Sequence, residues 1–244
     1  MIAGLRGLFV TGTDTGVGKT RVAAEIARSL ARSGHRVGVL KPLATGLTRA
    51  GETLQCGDAE ALIAAIGGGV PWERVTPLAF EAPLAPPVAA RAEGRTLDHP
   101  TVLDRTSDAL AWWRERADVI VAEGVGGLLC PLAEGTTVAD LAVELDFPLV
   151  IVARRGLGTL NHTLLTVEAA RRRGLRLAGI VLNSPEPGAE GLAERTNTEE
   201  LARRLEGTAI LAESGHDANG ALLSKSIHAV NWDDWAAAPR LVRS

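Results

Sequence analysis

Two residues in tandem, Lys19 and Thr20, close the stretch Leu8 to Thr20, LFVTGTDTGVGKT, which reads as an apolar strand, a glycine-rich turn and the start of a helix. Small residues let successive backbone N–H groups converge on oxyanions, a lysine reaches the outer phosphates, and a hydroxyl holds a divalent cation. Gly12, Gly16, Gly18, Lys19 and Thr20 supply those parts. The strict spacing G-x-x-x-x-G-K-[ST] puts its first glycine at position 13, which is Thr13 here, with the glycine one residue earlier. The segment is a variant phosphate loop.

A triphosphate with Mg²⁺ needs oxygen ligands and cations that offset the charge built up during transfer. Thr20 offers a hydroxyl, and Glu123 ends the apolar run Val119-Ile120-Val121, where an acid that meets the metal sits. Asp58, in Cys56-Gly57-Asp58-Ala59-Glu60, is a second candidate, although N-capping of a helix is the plainer reading of an Asp there. Lys41 ends another apolar run and precedes Pro42, so it faces the ligand edge. The chain has three lysines, Lys19, Lys41 and Lys225, and Arg carries its other positive charge; Lys is a compact point charge where Arg is a planar fork.

Such residues need a scaffold that brings strand ends together. Apolar runs at 7–10, 36–40, 118–122, 148–153 and 177–182, with a weaker one at 208–211, suit strands buried on both faces. Helical periodicity fills 21–32, 58–65, 102–116, 137–144, 159–173 and 198–206. The alternation predicts an α/β fold: a mostly parallel sheet of about seven strands with helices on both faces. Ligands of such sheets lie beyond the carboxyl ends of the strands. There stand Lys41-Pro42 with Ala44-Thr45-Gly46, Glu123-Gly124-Val125-Gly126-Gly127, and Asn183-Ser184. The stretch 71–100, with six of the twelve prolines, reads as an ordered excursion with a short helix at 88–92; the tail 214–244 shows little periodicity, and its Trp232 and Trp235 read as cover for apolar surface.

The 244 residues suit one domain over 1–244. With 26 basic and 29 acidic residues, no global field favours nucleic acid or an anionic membrane. Cys56 and Cys130 have no metal-ligand spacing, and neither a signal peptide nor a bilayer-spanning run is seen, so a cytoplasmic location is expected.

GTDTGVGKT, KPLATG, GDAEAL, VAEGVGGLLCPL, GLGTLNHTLLT and GIVLN, in this order from about Leu8 to Asn183, closely resemble the dethiobiotin synthetases. That resemblance implies an ATP- and Mg²⁺-dependent P-loop ligase, a homodimer, that closes a ureido ring from CO₂ or bicarbonate and 7,8-diaminononanoate in biotin synthesis. It implies a phosphate loop over Gly16, Val17, Gly18, Lys19, Thr20 and Arg21, and a Mg²⁺ shell of Thr20, Asp58 and Glu123. It makes Lys41 and Lys19 catalytic, with Thr15, Thr45, Gly127 and Asn161 on the substrate. Gly124, Val125 and Gly126 lie against the nucleotide, Asn183 contacts adenine, and Asn161 acts across the dimer interface from a helix whose amides receive the substrate carboxylate. Two places depart from the family pattern: Ala85-Pro86-Pro87 lacks a histidine after proline, and Ala209-Ile210-Leu211 lacks a proline. The rival reading is a regulatory ATPase like MinD or ParA. Those proteins carry a lysine early in the loop, where this chain has Thr13-Asp14.

Overall fold

The computed structural model describes residues 5–51, 53–187, 191–216 and 220–236. Its central sheet has six parallel strands in the order β12-β11-β10-β1-β7-β2. They are β1 (Arg6–Gly12), β2 (Val37–Leu40), β7 (Val119–Glu123), β10 (Leu149–Arg154), β11 (Leu177–Asn183) and β12 (Ile210–Ser214). All six lie at or beside the apolar runs of the sequence. Where about seven strands are expected the main sheet has six, because the remaining extended segments pair among themselves.

Those segments form β3 (Leu43–Thr45) with β6 (Leu78–Phe80) in parallel, and the antiparallel pairs β4 (Thr48–Ala50) with β5 (Thr53–Gln55) and β8 (Pro131–Ala133) with β9 (Thr136–Thr137). Two or three residues are too few to show a period of two, which is why the sequence pattern does not reveal them.

Helices α1 (Lys19–Arg32), α2 (Gly57–Ala65), α3 (Pro86–Ala92), α4 (His99–Arg114), α5 (Val138–Leu145), α6 (Thr159–Arg172) and α7 (Leu192–Arg204) connect the strands. Their starts follow local chemistry. Gly18 (φ 92°) turns the chain into α1, Asp98 accepts the Thr101 N–H at 2.9 Å to open α4, and Thr137 with Asp140 forms a capping box on α5. Helix α7 begins six residues before the periodic stretch at 198, since its first residue, Leu192, is exposed and its entry is set by Glu194 accepting the Gly191 N–H at 2.9 Å.

The proline-dense stretch holds one turn of 3₁₀ helix (Trp72–Arg74), β6 and α3, with Pro86 and Pro87 in the first turn, where missing N–H groups cost nothing. In the tail, α8 (Ala221–His228) packs on α1 and β12, and α9 (Trp232–Trp235) follows. Trp232 is fully buried and its indole N–H donates to the Ile227 carbonyl at 2.8 Å, while Arg6 binds the Ala236 carbonyl and Asp233. The tryptophans do cover apolar surface. The rest of the tail lies outside the described residues. Among the described residues no helix is long and apolar enough to cross a membrane.

The tail therefore shares the core of the sheet. Trp232→Ala should lower stability by about 3–5 kcal/mol in guanidinium unfolding. A loss below about 1 kcal/mol would mean that α8 and α9 fold apart from the sheet.

Candidate active site

Strand β7 lies between β1 and β2, so three neighbouring strand ends deliver the phosphate loop, Lys41 and Glu123 to one place. The loop needs its glycines. Gly16 (φ 73°) and Gly18 (φ 92°) adopt the left-handed conformation, and a Cβ at Gly18 would strike the Asn183 amide. A Cβ at Gly12 would stand 2.8 Å from Val17 Cγ2 and 2.9 Å from the Asp14 carbonyl. Asn183, buried at the end of β11, donates from Nδ2 to the Val17 carbonyl at 2.9 Å and straps the loop from behind.

Lys41 Nζ lies 2.6 Å from Glu123 Oε1 and 2.6 Å from Asp58 Oδ2. The Thr20 hydroxyl is 2.8 Å from both Asp58 Oδ1 and Glu123 Oε1. It has one proton and can satisfy one carboxylate at a time. Glu123 Oε2 is buried and has no hydrogen-bond partner among the described residues. Three hard oxygens thus converge with too few protons among them, which is the donor chemistry of a Mg²⁺ that takes its other ligands from phosphate and water. Asp58 does not cap α2, because Cys56 holds the N-cap position and the Asp58 carboxylate points to Lys41 and Thr20.

Burial opposes the charge on Lys41, but Glu123 and Asp58 outweigh it and hold its pKa above the ordinary lysine value. Burial also opposes the charge on Asp58, and here Lys41 and Thr20 win and keep the carboxyl below the usual range. Burial pushes Glu123 up despite Lys41. Lys19, whose ammonium donates to the Asp14 carbonyl at 2.9 Å, is pulled down by burial, with Lys41 adding to the effect.

Most residues marked by the sequence line one cavity of about 410 Å³: Thr15, Gly16, Gly18, Lys19, Thr20 and Arg21 from the loop, with Lys41, Thr45, Asp58, Glu123, Val125 and Gly126 around them. Val17 is buried under the loop, and Gly124 packs against Phe9 and Val138, a place where a Cβ would meet Val138 at 2.8 Å. Across the contact between Gly18 and Asn183 lies a second cavity of about 230 Å³, lined by Asn183, Pro185, Arg154 and His216. Gly127 lines neither; it belongs to a groove of about 240 Å³ with Leu129, His162 and Leu165. Asn161 is exposed in the first turn of α6 and lines none of the three. Two residues at the loop are absent from the motif reading. Asp14 Oδ1 accepts the Thr15 N–H at 2.7 Å, and Arg154 donates to the Thr15 carbonyl at 3.1 Å. Arg154 is legible as the residue that ends an apolar strand run.

This arrangement has counterparts of known name. A family described as "AAA domain" matches residues 6–214. A protein named ATP-dependent dethiobiotin synthetase BioD, from Anaeromyxobacter dehalogenans (strain 2CP-C), is 48% identical over 206 residues, 81% of this chain and 89% of that protein. Another of the same name, from Anaeromyxobacter sp. (strain Fw109-5), is 45% identical over 82% of this chain and 89% of its own. The chain belongs to the dethiobiotin synthetase family. It is, with that family, an enzyme of the ligase class. Among solved structures, the MinC:MinD cell division protein complex of Aquifex aeolicus aligns with a TM-score of 0.55 at 14% identity, covering 98% of each chain. A ParA family ATPase of Chlorobium tepidum TLS gives 0.52 at 16% identity over 97% of this chain and 98% of its own. At such identities the likeness is one of fold alone.

The buried ion pair generates a pH prediction. Lys41→Met strands Glu123 and should cost about 3–5 kcal/mol near pH 8. Glu123 then titrates from a still higher folded pKa, so its charge penalises folding above that value and the penalty fades as pH falls through it. The gap in Tm between the variant and the unsubstituted protein should therefore narrow from pH 8 toward pH 5. A gap that stays constant would show that Lys41 does not compensate Glu123.

Proposed function

We propose that the protein is an ATP- and Mg²⁺-dependent cyclo-ligase that forms the ureido ring of dethiobiotin from 7,8-diaminononanoate and CO₂ or bicarbonate, in biotin biosynthesis. The convergence of Lys41, Asp58, Glu123 and Thr20 beside the phosphate loop carries this reading. One amine takes up CO₂ as a carbamate and gives up a proton, the carbamate oxygen attacks the γ-phosphate and expels ADP, and the second amine displaces phosphate from the mixed anhydride to close the ring.

In the transfer step an anionic carbamate approaches an anionic phosphate, and the chain supplies the compensation. The amides of Gly16 to Thr20 and the Lys19 ammonium hold the phosphates, and Lys41, kept protonated by its two carboxylates, faces the equatorial oxygens. Thr20, Asp58 and Glu123 would hold Mg²⁺, which would supply charge neutralisation to the phosphates. Thr15 and Thr45 line the cavity where the diamine would lie. Val125 and Gly126 line it as well, and Gly124 is buried behind them. Asn183 and the second cavity are assigned to the adenine side.

A homodimer is part of the reading. Leu157, 96% exposed at the entrance to α6, and the exposed Leu165 and Leu129 beside the groove at Gly127 form a surface that a second copy would cover. Asn161 and the α6 amides would then serve the partner's substrate carboxylate. A switch ATPase like MinD or ParA is the alternative, and the two differ in what drives turnover. ATP consumption should require both the vicinal diamine and bicarbonate; consumption independent of both would overturn the ligase reading. Lys41→Ala should depress kcat far more than nucleotide affinity. Asp58→Ala should lose Mg²⁺-dependent activity well beyond any change in Tm, whereas Glu123→Ala should lose both activity and stability, because it leaves the buried Lys41 with Asp58 alone.

The dimer role has its own check. Mixing Asn161→Ala with Lys41→Ala subunits should restore part of the activity, because one composite site then carries both lesions and the other neither. No recovery despite demonstrated subunit exchange would confine each site to one chain.

A further inference from the structure

Arg154 ends β10, after five buried residues, Leu149 to Ala153. Its Nη2 donates to the Thr15 carbonyl at 3.1 Å and stands 3.7 Å from Asp14 Oδ2. A Cβ built on Gly16 would lie 3.9 Å from the same nitrogen. The guanidinium therefore rests against the crest of the phosphate loop, residues 14–16. From the other side, Lys19 Nζ donates to the Asp14 carbonyl.

The consequence follows from peptide geometry. In a planar trans peptide the C=O and the next residue's N–H point in opposite directions. Drawing the Thr15 carbonyl toward Arg154 turns the Gly16 N–H away from it, on the side of the loop opposite the guanidinium. Gly16, at φ 73°, has little backbone preference of its own to hold that orientation. The support is firm. The Arg155 N–H donates to the Asn183 carbonyl at 3.2 Å, Asn197 Nδ2 donates to the Arg155 and Gly156 carbonyls at 2.7 and 3.2 Å, and the buried Arg155 pairs with Glu213 at 2.6 Å. The end of β10 is thereby tied to β11, α7 and β12.

We infer that Arg154 is a positioning residue for the phosphate loop: it presets the Thr15–Gly16 peptide so that the Gly16 amide meets an incoming polyphosphate, and its charge adds to the attraction. This rests on the proposed assignment of the loop to the nucleotide's phosphates, and it concerns binding rather than the fate of the diamine.

Calorimetric titration of the full chain with a non-hydrolysable ATP analogue, inorganic tripolyphosphate and adenosine tests it without the ligase substrates. In Arg154→Ala, the analogue and tripolyphosphate should both weaken about tenfold, the size of one charge-assisted hydrogen bond lost. Adenosine, whose proposed cavity Arg154 also borders, should weaken less than tripolyphosphate does, and Tm should stay within about 2 °C. Arg154→Lys, which can still donate to the Thr15 carbonyl, should recover part of the loss. In turnover, KM for ATP should rise with kcat nearly constant. The inference is overturned if both affinities are unchanged, if the analogue weakens while tripolyphosphate does not, if kcat falls with affinities intact, or if the unsubstituted protein binds no tripolyphosphate. Intact tripolyphosphate effects beside an ATPase indifferent to diamine and bicarbonate would sink the ligase reading and leave this inference standing.

Discussion

The carboxylate of Glu123 is ionisable, wholly buried and shared by two partners, and the rest of the site is arranged around it. Burial alone drives such a group toward the neutral acid. It is tolerated because Lys41, itself buried, stands 2.6 Å away, and because that lysine is in turn balanced by Asp58. A pair of this kind contributes little net stability, since desolvation offsets attraction, but removing one partner exposes the whole cost. Its value lies in place and charge: an ammonium and three oxygens held next to a loop of N–H donors.

Holding them there is the work of the sheet. Lys41 follows β2, Glu123 closes β7, and the loop follows β1, and these three strands are neighbours only because β7 is inserted between the other two. The interposed strand enters the sheet 79 positions after β2 ends, from Leu40 to Val119. Residue 123 is thereby brought within hydrogen-bond reach of residues 20 and 41. The neighbours on the other flank do a different job. β10, which adjoins β1, sends Arg154 to the crest of the loop, and β11, the next strand out, sends Asn183 to the Val17 carbonyl, so two strands of that flank hold the loop.

Two lysines in one cavity have been given different characters. Lys19 lies among amides and a carbonyl, where burial lowers its pKa; Lys41 lies between carboxylates that raise it. The chain's net charge of −3 says nothing of this, since the field that matters is set within a few ångströms. The fold is shared with MinD and ParA family structures at 14–16% identity, so what separates function within it must be local. In this chain the local features are Thr13-Asp14 in the loop and Lys41 held between Glu123 and Asp58.

The sequence by itself determined the strand runs, the phosphate loop, and the identity of Lys41 and Glu123 as strand-terminal residues, because continuous apolar runs and glycine-lysine spacing are local signals. It also carried the family resemblance, which marked Asp58. Tertiary structure alone decided that Asp58 points at Lys41 rather than capping α2, since helix starts and side-chain direction depend on what stands opposite. It alone revealed the short strand pairs, the docking of α8 and α9 through Trp232, and the grip of Arg154 on Thr15, contacts between residues up to 139 positions apart for that last pair. Asn161 and Gly127 remained outside the main cavity. Proximity across a sheet is a property of strand order, and strand order leaves no periodicity in the chain from which to read it.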